Sequence, residues 1–285
     1  MLKYHFLLGL LALSLLSCKS QEEILFSSGR AGNSDIYLMN GNGENVQQLT
    51  SSEAEEWAPV WMDDLTISFL RQQGDIITRY GFNIKTKEAF ELPQPVECRL
   101  DDKNALYALG SQDYVFSCND DLFLYRSAKQ KTQNLTQNIP GKSRYPSWNQ
   151  IGDRLLFTND QLGSNDIYEL NLRDQSLRLI ISSPANDERA EYSPKEDLIV
   201  YSSDQEEGGN QEILLFNVNT KTSENISRSP GTELIARFST SGETIYYGSN
   251  KDGNWELYRY HLRDKTTQRL TNDPAFDGDP RVNKF

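Results

Sequence analysis

The chain has 285 residues, with 41 acidic against 29 basic side chains and a formal net charge of −12. That length suffices for one large all-β domain and is too short for such a domain plus another sizeable one. An acidic surface repels nucleic acid and anionic lipid head groups, and favours cationic partners or metal ions.

The N-terminus reads as an export signal. Lys3 supplies positive charge, and Phe6 to Leu16 is an apolar run of 11 residues, too short to span a bilayer as a helix. The run ends in Leu15-Leu16-Ser17-Cys18. This resembles the lipobox of bacterial lipoproteins, which implies cleavage before Cys18 and lipidation of its thiol; a plain secretory signal is the alternative. A lipidated Cys18 would anchor the protein without a transmembrane segment. The following Lys19-Ser20-Gln21-Glu22-Glu23 has no Asp directly after the cysteine. It resembles the surface-export signal of Bacteroidetes lipoproteins, so the expected location is the outer membrane, on its periplasmic or its outer side. The predicted organisation is a signal peptide over 1–17, a short tether over 18–23 and one domain over 24–285.

From residue 24 onward the chain repeats. Short apolar strands such as Ile24-Leu25-Phe26-Ser27-Ser28, Leu155-Leu156-Phe157-Thr158 and Ile199-Val200-Tyr201-Ser202 read as buried strands, here termed B. Each is followed by an acidic residue that opens a second strand, C: Asp35, Asp75, Asp121, Asp166, Glu212 and Glu256, spaced 40, 46, 45, 46 and 44 residues apart. An aliphatic residue marking strand D follows 14 positions later at Leu49, Leu135, Ile180, Ile226 and Leu270, and 17 positions later at Leu92. A strand A precedes B, as in Pro59-Val60-Trp61, Pro146-Ser147-Trp148, Ala190-Glu191-Tyr192 and Ala236-Arg237-Phe238. A period in the forties with four short strands per unit predicts an all-β, six-bladed β-propeller of four-stranded antiparallel blades. The first unit lacks strand A, and Asp279-Pro280-Arg281-Val282-Asn283 is a spare copy at the C-terminus. The C-terminal strand is therefore expected to close the first blade and remove the open sheet edges.

The stretch Phe26-Ser27-Ser28-Gly29-Arg30-Ala31-Gly32-Asn33-Ser34-Asp35-Ile36-Tyr37, with Leu49-Thr50 and Pro59-Val60-Trp61, resembles the TolB-type propeller repeat. The resemblance covers almost all of the chain after the signal. It implies a six-bladed periplasmic propeller that binds other envelope proteins at the mouth of its central channel. The additional N-terminal α/β domain of TolB has no counterpart in this sequence.

The loops that lead into strand A supply the candidate binding residues. These are Glu56 and Trp57, Glu97, Arg144 and Tyr145, Glu188, Glu233 and Asp277. Converging on the axis, they would form an acidic mouth with aromatic neighbours, suited to a Lys- or Arg-bearing segment of a protein or peptide partner. The competing reading is that they cap turns. The strand-opening acids recur once per blade and cannot share one metal ion, so a structural role is expected for them. No metal site or cofactor is expected; calcium at the polar hairpin tips lacks support from EF-hand spacing. Cys98 and Cys118 either form a disulfide or remain thiols.

Catalysis finds little support. Outside the signal the only histidine is His261, and there is no Gly-x-Ser-x-Gly elbow. A paired-carboxylate glycosidase needs only two acids at the right separation. A carbohydrate-binding or carbohydrate-active propeller is therefore the alternative to a non-catalytic partner-binding lipoprotein, which is expected to be a monomer or part of a larger complex.

Overall fold

A computed structural model describes residues 22–93, 105–205 and 209–285. The described strands form six four-stranded antiparallel sheets arranged as the blades of a propeller. Among the described residues there is no α-helix, only a 3-10 turn at Ser127–Lys129. Blade 1 takes its innermost strand from the C-terminus: Asp277–Val282 pairs with Glu23–Ser28, which pairs with Asp35–Asn40 and then Gln47–Gln48. The closure expected from the spare C-terminal segment is thus present, with Ile24 opposite Val282 and Ser28 opposite Asp277.

Apolar packing runs between blades rather than within one. Strand B is buried on both faces, so alternate residues serve opposite neighbours. Ile199 and Tyr201 of blade 5 pack with Leu156 and Ile167 of blade 4, whereas Val200 packs with Ile245 and Tyr247 of blade 6. The same logic spans the closure, where Ile24, Phe26 and Met39 meet Tyr246 and Leu257. Near the axis, single side chains stitch one strand A to the next. The Trp61 indole donates to the Arg281 carbonyl at 3.1 Å, Trp148 to the Leu106 carbonyl at 2.9 Å, and the Ser147 hydroxyl to the Ala190 carbonyl at 2.6 Å. At the rim, strand D is short and exposed, as in Gln47–Gln48 and Glu88–Glu91, which blunts the outer edge.

The fixed interval between the acid and strand D within a blade comes from a hydrogen-bonded clamp. In blade 6 the Thr271 hydroxyl donates to the buried Glu256 carboxylate at 2.5 Å and accepts the Leu257 N–H at 2.9 Å. Thr136 does the same for Asp121 and Leu122, at 2.6 and 2.9 Å. Thr50 serves Asp35 and Ile36, and Ser227 serves Glu212 and Ile213. The acid at the start of strand C and the hydroxyl at the end of strand D are held in register, so the strand-opening acids are structural.

Three blades depart from the expected pattern. In blade 2 strands B and C are longer (Thr66–Gln73 and Ile76–Asn83), and Asp75 lies in the turn between them. Thr78 pairs with Arg71 as Asp35 pairs with Ser28, and the Leu92 N–H bonds the Arg79 carbonyl as Leu49 bonds Ile36. The interval to Leu92 is therefore the usual one, counted from Thr78; the hairpin extension had displaced the acidic residue. In blade 4 strand D slips by one residue between Ile167 and Tyr168, so Ile181, not Ile180, lies opposite Ile167. Asp166 is buried there without a side-chain hydrogen bond among the described residues. Strand A of blade 3 is only Leu106–Tyr107, shorter than the expected Leu106-Tyr107-Ala108-Leu109.

Two expectations follow. Thr271→Val keeps the shape of the side chain but leaves the Leu257 N–H and one oxygen of the buried Glu256 carboxylate without partners, the other oxygen keeping Arg269, so unfolding by urea should show a loss of about 1–3 kcal/mol. Burial and the Glu56 carboxylate raise the Asp35 carboxyl to about 6. Asp35 then binds its proton more tightly folded than unfolded, where a carboxyl titrates near ~4. Its ionisation thus removes stability as pH rises from about 4 to about 6. Asp35→Asn should flatten that part of the stability profile, read from urea midpoints across the window.

Candidate functional site

Strand A carries a repeated irregularity. In blades 2, 4, 5 and 6 its pairing with strand B slips by one residue, between Trp57 and Val60, Arg144 and Ser147, Glu188 and Glu191, and Leu234 and Arg237. The closing strand of blade 1 shows the same slip. Each bulge holds one non-glycine residue in the left-handed region: Ala58, Tyr145, Arg189, Ile235 and Asp279, with φ of 52°, 51°, 59°, 57° and 56°. That conformation costs an L-residue about 1–2 kcal/mol, and Ile235 is β-branched, the least suited type. A bulge re-aims a side chain, and here the five residues all line the central channel.

The channel has two chambers. One, of about 210 Å³, lies where strand A begins and is lined by the five bulge residues together with Trp57. The other, of about 160 Å³, lies toward the A–B turns and is bordered by Lys284 and Phe285 of the C-terminal tail. Val60, Leu106, Ser147, Arg237 and Arg281 border both and form the waist.

The expected acidic mouth is not what the carboxylates build. Glu56, Glu233 and Asp277 are fully buried. Glu56 is paired with Arg71 at 2.6 Å and accepts the Ser52 hydroxyl at 2.7 Å. Glu233 accepts the Ser249 hydroxyl at 2.6 Å, and Asp277 is paired with Arg30 at 2.7 Å. They occupy the first buried position of strand A and satisfy groups within their own blades, so they do not form a solvent-facing ring. Burial raises the carboxyls of Glu233 and Asp277 above their usual range. Glu188 remains half-buried at the rim, accepting from Asn165 at 2.5 Å. Arg144 is turned outward and paired with Asp120 at 2.6 Å. Trp57 and Tyr145 do line the channel. Glu97, Cys18 and Cys98 lie outside the described residues; Cys118 is buried and disulfide-bonded.

Arginines dominate the channel instead. The Arg189 guanidinium stacks on Tyr145 at 3.8 Å from the ring centre, with Glu188 3.8 Å away. Arg237 is buried; it donates to the Ala236 carbonyl at 2.8 Å and lies 3.6 Å from Glu191. Burial opposes ionisation of Glu191, but Lys284 at 2.6 Å and Arg237 hold its carboxyl below the usual range. Arg281 has no ion pair among the described residues. Burial, and then the neighbouring Arg237 charge, push it down to about 9.

Arg237 and Arg281 were visible in the sequence as members of strand A, two residues after the bulge. Aligning the copies places them with Val60, Ser147 and Glu191, one residue before the aromatic position of Trp61, Trp148, Tyr192 and Phe238. Asp279 is legible as a residue closing the first blade, whereas Arg189 had no such signal, because the bulge that turns it inward leaves no trace in residue type.

Among the described residues, no group of three His, Cys, Asp or Glu side chains could hold a metal ion. No protein-family model matches the chain. In three dimensions it is similar to TolB from Acinetobacter baumannii (TM-score 0.77, 13% identity), over 92% of this chain and 66% of that one. It thus spans slightly less than two thirds of that protein's length. It is also similar to a structure assigned to TolB of Agrobacterium tumefaciens (TM-score 0.70, 13% identity), over 92% of this chain and 96% of that one. Oligogalacturonate lyase from Vibrio parahaemolyticus matches with a TM-score of 0.56 and 11% identity, over 88% of this chain and 73% of that one. At such identities the likeness is one of fold: a TolB-type six-bladed propeller.

For Arg281, burial and the Arg237 charge outweigh the Glu191 and Asp279 carboxylates, and an arginine charge so placed opposes folding. Arg281→Met should therefore stabilise the protein by about 1 kcal/mol or more, roughly 2–4 °C in Tm, measured by thermal unfolding at pH 7.

Proposed function

We propose that this protein is a non-catalytic recognition module of the bacterial envelope, tethered through a lipidated Cys18. It binds a segment of another envelope protein at the chamber where strand A begins. The observation that carries this reading is the set of five strained bulges that turn Ala58, Tyr145, Arg189, Ile235 and Asp279 into one channel. Strain kept at the same place in five blades fits a binding surface better than a purely structural wall. Trp57 and Tyr145 supply the amphipathic anchors typical of interface centres, and Glu188 lies 3.8 Å from the Arg189 that stacks on Tyr145. The likeness to TolB structures supports a protein partner. His261 lies on strand C of blade 6, two strands outward from the channel wall, so it offers that chamber no general base.

The likeness to oligogalacturonate lyase supports a second reading, a carbohydrate-binding or carbohydrate-active propeller using the same aromatics. In-cell photo-cross-linking separates the two. With a photoreactive residue at position 57 or 145, a partner-binding module should yield discrete protein adducts in intact cells, and the same group at the outward Arg173 should not. Absence of adducts, together with retention or turnover on a glycan screen, would establish the carbohydrate reading.

A further inference from the structure

Three guanidinium groups converge on the 210 Å³ chamber, from Arg189, Arg237 and Arg281, in a protein whose net charge is −12. Their internal counter-charges are incomplete: Glu188 lies 3.8 Å from the Arg189 Nε without a hydrogen bond to it. Glu191 is held by Lys284 at 2.6 Å and by the Phe238 N–H at 3.0 Å, both on Oε1, which leaves Arg237 at 3.6 Å from its second oxygen. Asp279 accepts the Ser27 hydroxyl at 3.3 Å. Arg237 and Arg189 each bury an Nε–H that has no hydrogen-bond partner among the described residues, and Arg237 is more than nine-tenths buried. Unpaired buried donors on charged groups are costly unless an occupant satisfies them. Arg189 lies at a strained bulge lining the 210 Å³ chamber, and Arg237 stands at the waist with its Nε 3.6 Å from Glu191, which lines the other chamber.

We propose that this chamber binds a carboxylate of the partner chain, an Asp or Glu side chain or a C-terminus, clamped by Arg189, Arg237 and Arg281. The proposal rests on the recognition role argued above and names the chemistry of its ligand. A planar guanidinium matches a carboxylate by two parallel N–H···O bonds. The volume suits it as well: about 210 Å³ leaves room for one or two acidic side chains. The acidic ring expected from the sequence would have selected a cationic segment; the charge that lines the chamber selects the opposite.

Calorimetry with a tetraglutamate peptide blocked at both ends, against the corresponding tetraglutamine peptide, tests this on the unmodified protein. Tetraglutamate should bind and tetraglutamine should not. Replacing Arg189 and Arg281 together by Gln should weaken tetraglutamate binding at least tenfold, with far-UV circular dichroism confirming the fold. Arg173→Gln, on the exposed rim, should leave it unchanged. Equal affinity for the two peptides, or binding indifferent to the double substitution, would overturn the proposal. Tighter binding of trigalacturonate than of tetraglutamate would overturn the peptide assignment. Cross-linking from position 57 reads the recognition role separately: protein adducts without tetraglutamate binding would reject the carboxylate and keep the partner, and failure of both would reject both.

Discussion

The pairing of the first strand with the last is the constraint on which the rest of the molecule depends. Glu23–Ser28 and Asp277–Val282 lie far apart in the chain but side by side in one sheet. Their contact turns a row of blades into a ring, and only in a ring does every strand B have an apolar neighbour on both faces. The surroundings reinforce the joint. Trp61 of blade 2 hydrogen-bonds the Arg281 carbonyl, and Glu22 accepts from the Tyr246 hydroxyl at 2.7 Å and the Thr240 N–H at 2.6 Å in blade 6. Blades on both sides thus hold the closing pair. Stability in such an array is shared among nearest neighbours, so an opened joint would expose two apolar faces together.

Closure also creates the channel, and the same strand contributes to its chemistry. Asp277–Val282 brings Asp279 and Arg281 to the axis beside Arg189 and Arg237. Tail residue Lys284 reaches across to Glu191 of blade 5. The C-terminus is thus at once a structural strand and part of the channel wall. This couples the integrity of the ring to the electrostatics of the chamber, because the Arg281 charge reaches the axis only through the closing sheet.

The repeat was legible because a clamp enforces it. An acid that must meet a hydroxyl at the end of strand D fixes the interval between them, and the interval survives where other residues drift. Where the clamp is absent the reading slipped: Asp75 was taken for a strand-opening acid because the blade 2 hairpin is extended by the pairs Gln72–Ile77 and Gln73–Ile76. The site was less legible for a different reason. Glu56, Glu233 and Asp277 sit just before the bulge, and their type suggested a charged mouth. Whether such a carboxylate faces water or its own blade depends on partners distant in sequence, such as Arg30 for Asp277. The bulge residues Ala, Tyr, Arg, Ile and Asp lack the glycine or asparagine that usually marks left-handed backbone, so nothing local announced which side chains would turn inward.

An acidic protein with a basic channel separates two tasks that net charge alone would merge. Over distances beyond the ~8 Å Debye length at physiological ionic strength, a partner meets chiefly the nearby surface charges, on a chain whose net charge is −12. Within the chamber the nearest charges are guanidinium groups in a medium less polar than water, where short-range interactions are stronger. Long-range encounter and final docking therefore answer to opposite signs. A partner suited to both would carry basic residues flanking an acidic or C-terminal group. Such a polarity pattern discriminates more sharply than total charge, since a uniformly acidic chain is slowed on approach though it can dock, and a uniformly basic one is rejected at the channel.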